Sequence, residues 1–220
     1  MTHGQDLFRI GKTFSFEATR TLDGALDGRS FLAEVTLVAD RLTGPGFVVD
    51  FGQLRPVKQY IDANLDHRLL DGVVDGTPTG EAIADHLLAW CREFLPPTVA
   101  ARLETVSIRT GRRPAADATA VPFAASHRLG GLPEGHQCGR LHGHSYLVSP
   151  LPGAGQLFPV SIAQYIKRVL DGRLLNDVVD FEPTSELLAR HLTGQAAGAV
   201  AGLRVSETES SWAEFRTGAR

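Results

Sequence analysis

The stretch Leu65-Asp66-His67-Arg68-Leu69-Leu70-Asp71-Gly72-Val73-Val74-Asp75-Gly76-Thr77-Pro78-Thr79-Gly80-Glu81 has a second version in the same chain. That version reads Leu170-Asp171-Gly172-Arg173-Leu174-Leu175-Asn176-Asp177-Val178-Val179-Asp180-Phe181-Glu182-Pro183-Thr184-Ser185-Glu186. Eleven of the 17 positions are identical without a gap, at an offset of 105 residues. Similarity of that density within 220 residues marks an internal repeat. It extends outward with changing offsets, as loop insertions and deletions give. Phe16 to Leu22 pairs with Phe123 to Leu129, and Gly28-Arg29-Ser30-Phe31 pairs with Gly143-His144-Ser145-Tyr146. Val106 to Thr110 pairs with Arg204 to Thr208.

Each half therefore follows one plan, and the expected division is residues 1–112 and 113–220. The first half opens with a strand over about residues 7–20 and a second over 31–38. Turn residues Gly44-Pro45-Gly46 and the apolar run Phe47 to Phe51 follow, then a helix from Leu54 to Leu65. Thr79 is suited to cap a helix from Glu81 to Phe94, and Leu103 to Arg109 reads as a strand that closes the unit with a weakly defined partner. The second half repeats this with a strand at Tyr146 to Val148, turns over 150–155, helices at 161–170 and from Glu186 to about Gly194, and a strand at 203–208. Arg112 to Thr119 reads as the linker. Strands, two helices and strands in about 100 residues predict an α+β unit, with helices on one face of an antiparallel sheet. Sheets of that kind have open edges, so association into a larger barrel is expected.

The bulk composition narrows the function. Apolar content of 43%, charged content of 21% and a net charge of -3 describe a globular chain. That balance argues against a general nucleic-acid or anionic-membrane binder. The sequence shows neither a signal peptide nor an 18-residue apolar span. With two distant cysteines, a disulfide framework is not expected, and a reducing cytoplasm is the default compartment. Cys91 lies in an amphipathic helical pattern and reads as a structural thiol.

The chemistry concentrates in Cys138-Gly139-Arg140-Leu141-His142-Gly143-His144. On a strand, alternation sends His142 and His144 to one face, the arrangement of two adjacent metal ligands. A lone His-x-His pair is more often plain surface. His127, however, lies in the run Val121 to His127, and a hairpin through the Gly- and Pro-rich segment 130–135 would return it to the pair. Cys138 would then hang over the metal. Three histidines leave Zn²⁺ a fourth position, the pattern of a catalytic site. Thr79 and Thr184 read as helix caps, and Glu81 and Glu186 as first-turn acids. His136, His86, His191 and His3 carry no assigned role.

The run Phe123-Ala124-Ala125-Ser126-His127-Arg128-Leu129, followed by Gly131 to Tyr146 with its Cys-x3-His-Gly-His element, resembles the family of 6-pyruvoyl- and 6-carboxy-tetrahydropterin synthases. The three-residue spacing from cysteine to histidine is similar to the carboxy-forming branch. The resemblance covers nearly the whole chain, twice over. It implies the tunnelling fold (T-fold), homo-oligomeric barrels with sites between subunits, and 7,8-dihydroneopterin triphosphate as substrate. It also implies His127, His142 and His144 as zinc ligands, Cys138 as the catalytic thiol, Glu207 as the carboxylate anchoring the pterin, and Asp66 with His67 as a catalytic pair. A carboxylate suits the 2-amino-pyrimidinone edge because it can accept two parallel N–H bonds. Glu207 could otherwise be a plain strand residue, and Asp66-His67 a solvated helix-end pair.

The two halves depart from that pattern in complementary ways. The first has Arg20, Asp27 and Arg29 at the ligand positions, no cysteine, and Arg109 in place of the glutamate. The second keeps all of these but carries Gly172 where the pair's histidine belongs. The expectation is a composite site between unlike repeats, the second supplying zinc, Cys138 and Glu207 and the first, of the same or another chain, supplying Asp66 and His67. The expected activity is a zinc-dependent carbon–carbon lyase giving 6-carboxy-5,6,7,8-tetrahydropterin, acetaldehyde and triphosphate, for queuosine or another deazapurine. A pyruvoyl-forming synthase and a non-catalytic pterin- or zinc-binding scaffold are the alternatives. Neither a nucleic-acid nor a membrane partner is expected.

Overall fold

The computed structural model describes residues 6–111, 119–151 and 158–218. The linker expected at Arg112 to Thr119 and the turns expected over 150–155 fall mostly outside them. The chain divides into two units: Gly11–Leu37 with Val49–Ala115, and Met1–Ile10 with Val38–Val48 and Ala116–Arg220.

The first unit holds most of β1 (Leu7–Leu22) and β2 (Ala25–Ala39), with α1 (Arg55–Asn64), the two-residue β3 (Arg68–Leu69), α2 (Gly80–Phe94), α3 (Pro97–Ala100) and β4 (Leu103–Thr110). Strands β1 and β2 are longer than the sequence pattern predicts. Asp23 and Gly24 both adopt positive φ, 51° and 77°, so Asp-Gly closes a two-residue hairpin turn that lets pairing run to the tip. Phe31, Ala33, Val35 and Leu37 alternate into the core, each fully buried. β2 pairs antiparallel with β4, Phe31 opposite Thr110 and Val35 opposite Val106. The run from Phe47 to Phe51 forms no strand beyond an isolated bridge between Thr43 and Phe47.

Helical periodicity places Val57 and Ile61 of α1, and Ile83, Leu87 and Cys91 of α2, in the core. Thr79 caps α2 as expected, its hydroxyl accepting from Ala82 N at 3.1 Å. Across the two helices the hydroxyl of Tyr60 lies 2.6 Å from Nε2 of His86. Tyr60 also stacks on Trp90 at 4.4 Å.

The second unit comprises β5 (Val121–His127), β6 (His142–Pro150), α4 (Val160–Tyr165), β7 (Arg173–Leu174), α5 (Leu175–Val178), α6 (Ser185–Gln195), β8 (Gly202–Thr208) and β9 (Ser211–Arg216). Its strand order is β9-β8-β6-β5-β7. Residues Ile166–Leu170, expected as plain α-helix, form a π-helical turn instead. β9 is the weakly defined closing partner, whose bounds the sequence pattern leaves open; it pairs antiparallel with β8, and the Arg204 guanidinium lies 3.7 Å over the Trp212 ring. The fold class is α+β. Strands β2 and β4, β5 and β6, β6 and β8, and β8 and β9 pair antiparallel, whereas β3 runs parallel to β1 and β7 runs parallel to β5.

The same contacts recur in both units at the positions that the sequence comparison pairs. Asp66 Oδ1 accepts from Glu17 N at 2.8 Å, and Asp171 Oδ1 accepts from Ala124 N at 3.0 Å. Tyr60 with His86 is matched by Tyr165 with His191, whose hydroxyl and Nε2 lie 2.7 Å apart. The stack of Phe16 on Phe31 is matched by Phe123 on Tyr146. Among the described residues no helix is long and apolar enough to cross a membrane.

Candidate metal centre

The β5–β6 ladder builds the centre. Its register sets His127 opposite His142 and Ala125 opposite His144, so three imidazoles share one face of two adjacent strands. Gly143 separates the pair because a Cβ there would lie 3.0 Å from the Ala125 carbonyl oxygen. One ligand nitrogen from each of His127, His142 and His144 lies within 4.8 Å of the others. His127 is buried, and the other two are partly exposed.

Hydrogen bonds select the tautomers. His127 Nδ1 lies 2.8 Å from the Pro183 carbonyl oxygen and His142 Nδ1 lies 2.7 Å from the Arg140 carbonyl oxygen. A carbonyl only accepts, so both Nδ1 atoms donate and both neutral rings present a bare Nε2. Those two Nε2 atoms are 3.1 Å apart. Two lone pairs at that distance repel unless a cation lies between them. Zn–N bonds of about 2.0–2.1 Å in a tetrahedron put neighbouring nitrogens about 3.3 Å apart, close to what is seen. Burial depresses the pKa of His127 and of His144, which favours neutral, ligand-competent imidazoles, while Glu207 works the other way on both. The residues present fit a zinc ion, with carbonyl partners fixing the ligands from behind.

Cys138 sits in a 3₁₀ turn, Gln137–Gly139, and is partly exposed. Its carbonyl accepts from Leu129 N at 2.9 Å, and its N–H donates to His136 Nδ1 at 3.2 Å. The loop is tied down from two further points. Asn176 both accepts from Arg128 N and donates to Arg128 O, and Glu182 accepts from Gly130 N at 2.9 Å. His136, Asn176 and Glu182 were not assigned roles from the sequence; polar residues beside a glycine-rich loop were the only signal.

Glu207 lies near the end of β8, where its charge reaches His127, His144 and Tyr146. The hydroxyl of Ser185 donates to Glu207 Oε2 at 2.8 Å. In the first unit the matching positions are Gly80 and Arg109, so the serine is absent where the glutamate is absent. Glu186 is more than a first-turn acid: it is buried and accepts from Val48 N at 3.0 Å.

Asp66 and His67 belong to the other unit. Asp66 Oδ2 holds His67 Nδ1 at 2.9 Å, which leaves His67 Nε2 facing outward on a side chain that is 78% exposed. The Glu17 N–H and then His67 lower the Asp66 pKa and keep the carboxylate charged. His67 adopts φ 55°, the left-handed region that L-residues avoid, whereas Gly172 takes φ 72° at the matching position. Arg20, at the vacated ligand position, is buried; its Nε contacts Asp27 Oδ2 at 3.2 Å, and Arg29 Nε contacts Asp27 Oδ1 at 2.6 Å.

A family model for 6-pyruvoyl tetrahydropterin synthase matches residues 9–120 and 160–218. The chain belongs to that family. The match includes Asp66, His67 and Glu207, while His127, Cys138, His142 and His144 fall between its two segments. A 6-pyruvoyl tetrahydropterin synthase from Caenorhabditis elegans is similar at 17% identity over 51% of this chain and 100% of its own, with a TM-score of 0.38. An uncharacterized protein from Wolinella succinogenes is similar at 19% identity over 49% of this chain and 95% of its own, with a TM-score of 0.40.

Proposed function

We propose that this family member is a zinc-dependent 6-carboxytetrahydropterin synthase, built as a tandem T-fold in which only the second repeat retains the metal centre. It converts 7,8-dihydroneopterin triphosphate and water to 6-carboxytetrahydropterin, acetaldehyde and triphosphate, in the cytoplasm and as a homo-oligomer. The observation that carries the reading is the pair of bare Nε2 atoms on His127 and His142, 3.1 Å apart.

His127, His142 and His144 hold the zinc ion. When bound, it supplies a Lewis acid that acidifies C–H and O–H bonds of the substrate side chain. Glu207 orients the pterin by accepting paired N–H bonds at its amino-pyrimidinone edge. Ser185 fixes the carboxylate for that task. Cys138 is the base that removes a side-chain proton, held in place by the clamped loop. His67 delivers or relays a proton through Nε2 while Asp66 holds Nδ1.

Asp66 and His67 of a first repeat, in the same or another chain, complete the site set up by a second. Retention of histidine in a left-handed conformation at position 67 supports this, since glycine at position 172 meets the same backbone requirement without strain. Metal analysis of the purified protein, followed by product mass spectrometry after incubation with dihydroneopterin triphosphate, tests the assignment. One zinc per chain and release of acetaldehyde are expected. A product that retains all side-chain carbons would identify a pyruvoyl-forming enzyme instead.

A further inference from the structure

The first unit has lost its metal ligands, yet it keeps a groove of about 760 Å³ beside His67. We propose that this groove is a polyphosphate-binding subsite that takes the triphosphate of the substrate, an inference that rests on the pterin-triphosphate reading above. Arg29, Arg68, His67, Ser30, Thr19 and Glu17 are among its walls. Both arginines are exposed.

The charge arrangement favours an anion. Asp27 is shared between two guanidinium groups, buried Arg20 and exposed Arg29. Arg20 also donates to the Pro78 carbonyl at 3.0 Å, so it is held inside the unit. One carboxylate is therefore shared by two guanidinium groups, Arg29 at 2.6 Å and Arg20 at 3.2 Å, so the trio carries a net positive charge. Among the described residues Arg29 bonds Asp27 through Nε alone. Its two terminal nitrogens form the fork that recognises phosphate oxygens in bidentate fashion. Arg68 adds a second guanidinium, held by a single 3.3 Å contact to the Ala63 carbonyl. The one carboxylate among the walls, Glu17, accepts from the Ser30 hydroxyl at 2.8 Å.

The second unit supplies an internal control. At the matching place its groove is about 370 Å³ and is lined by Ala124, Ser126, Gly143, His144, Ser145 and Gly172 among others. Arg29 replaces His144, Glu17 replaces Ala124 and His67 replaces Gly172. Arg173, the match of Arg68, is not among the walls. Of the two grooves, only that of the first unit carries guanidinium groups among its walls. It lies next to the imidazole assigned to the substrate's side chain.

Calorimetric titration of the intact protein with inorganic tripolyphosphate at low ionic strength tests this. Saturable binding at one site per chain is expected. The Arg29→Gln/Arg68→Ala double variant should weaken it by at least about tenfold. Glu17→Gln should tighten it, Arg173→Ala should leave it unchanged, and added salt should weaken it. Both arginines are exposed, so the variants should melt at the wild-type temperature. Absence of saturable binding, or equal binding by the double variant, overturns the proposal. In turnover assays the double variant should raise KM for dihydroneopterin triphosphate far more than it lowers kcat. Arginine-dependent tripolyphosphate binding by a protein that converts no pterin would keep the groove and refute the proposed function. Turnover with a KM indifferent to both arginines would do the reverse.

Discussion

His127 Nε2 and His142 Nε2 face each other at 3.1 Å, each ring having committed its Nδ1 to a backbone carbonyl. Neither nitrogen carries a proton in the neutral ring, so the contact becomes favourable only around a shared cation. The wild-type protein should therefore contain one zinc per chain, and His127→Ala or His142→Ala should contain almost none. A ligand present at a hundred times its Kd stabilises by about 2.7 kcal/mol, so stripping the metal with a chelator should lower the melting temperature measurably. Atomic absorption together with a melting curve checks both.

Cys138→Ala should keep its zinc and lose its activity. The thiol is not among the three clustered ligands, and the loop carrying it is anchored through backbone groups that alanine preserves. Loss of a general base costs about 10²–10⁴ in kcat. Zinc content and kcat measured on one preparation separate this outcome from a structural collapse.

Glu207→Gln should raise KM for the pterin by at least about tenfold, because an amide offers one acceptor where the carboxylate offers two. Ser185→Ala should produce a smaller shift in the same direction with kcat nearly unchanged. Gly80 and Arg109 at the matching positions show that the serine and the carboxylate are absent together. Equal KM values for all three proteins would remove Glu207 from pterin binding.

The paired tyrosine–histidine contacts give stability a pH dependence. Burial lowers the pKa of His86 and of His191 from the ordinary 6.5. Each Nε2 lies within hydrogen-bond reach of a tyrosine hydroxyl, at 2.6 Å for Tyr60 and 2.7 Å for Tyr165. The unfolded chain takes up protons as pH falls through 6.5, while the folded chain takes them up only at lower pH. The stability these histidines support is therefore complete above pH 6.5 and declines below it. Chemical denaturation at pH 7.5 and at pH 5.5 should show the loss, and His86→Gln should reduce it.

Much of this architecture is legible in the sequence because similar stretches in the two halves expose it. Helix caps at Thr79 and Thr184, the core face of α2, and the pairing of His127 with His142 follow from periodicity and turn chemistry. The extent of the first hairpin was missed although Asp23-Gly24 signalled it. The bounds of β9 do not follow from the sequence because Ser211 and Glu214 give it no clean alternation. The clamps on the Cys138 loop were beyond reach, since Asn176 and Glu182 meet Arg128 and Gly130 only through long-range folding. The left-handed backbone at His67 was hidden too, although glycine at the matching position 172 was its trace.

That backbone also separates stability from function. Gly172→Ala should cost about 1 kcal/mol, since a Cβ there meets open space and the only cost is the positive φ. His67→Gly should leave stability unchanged or raise it by up to about 1 kcal/mol, because it removes the same strain. A fold-tolerated change at an exposed residue is thus available to question the composite site.

The decisive measurement is kcat of His67→Gly on dihydroneopterin triphosphate, at one zinc per chain and wild-type melting temperature. If the first repeat supplies the proton relay to the metal centre of the second, kcat falls by about 10²–10⁴ while zinc content is unchanged. Wild-type turnover by this variant would contradict the composite site.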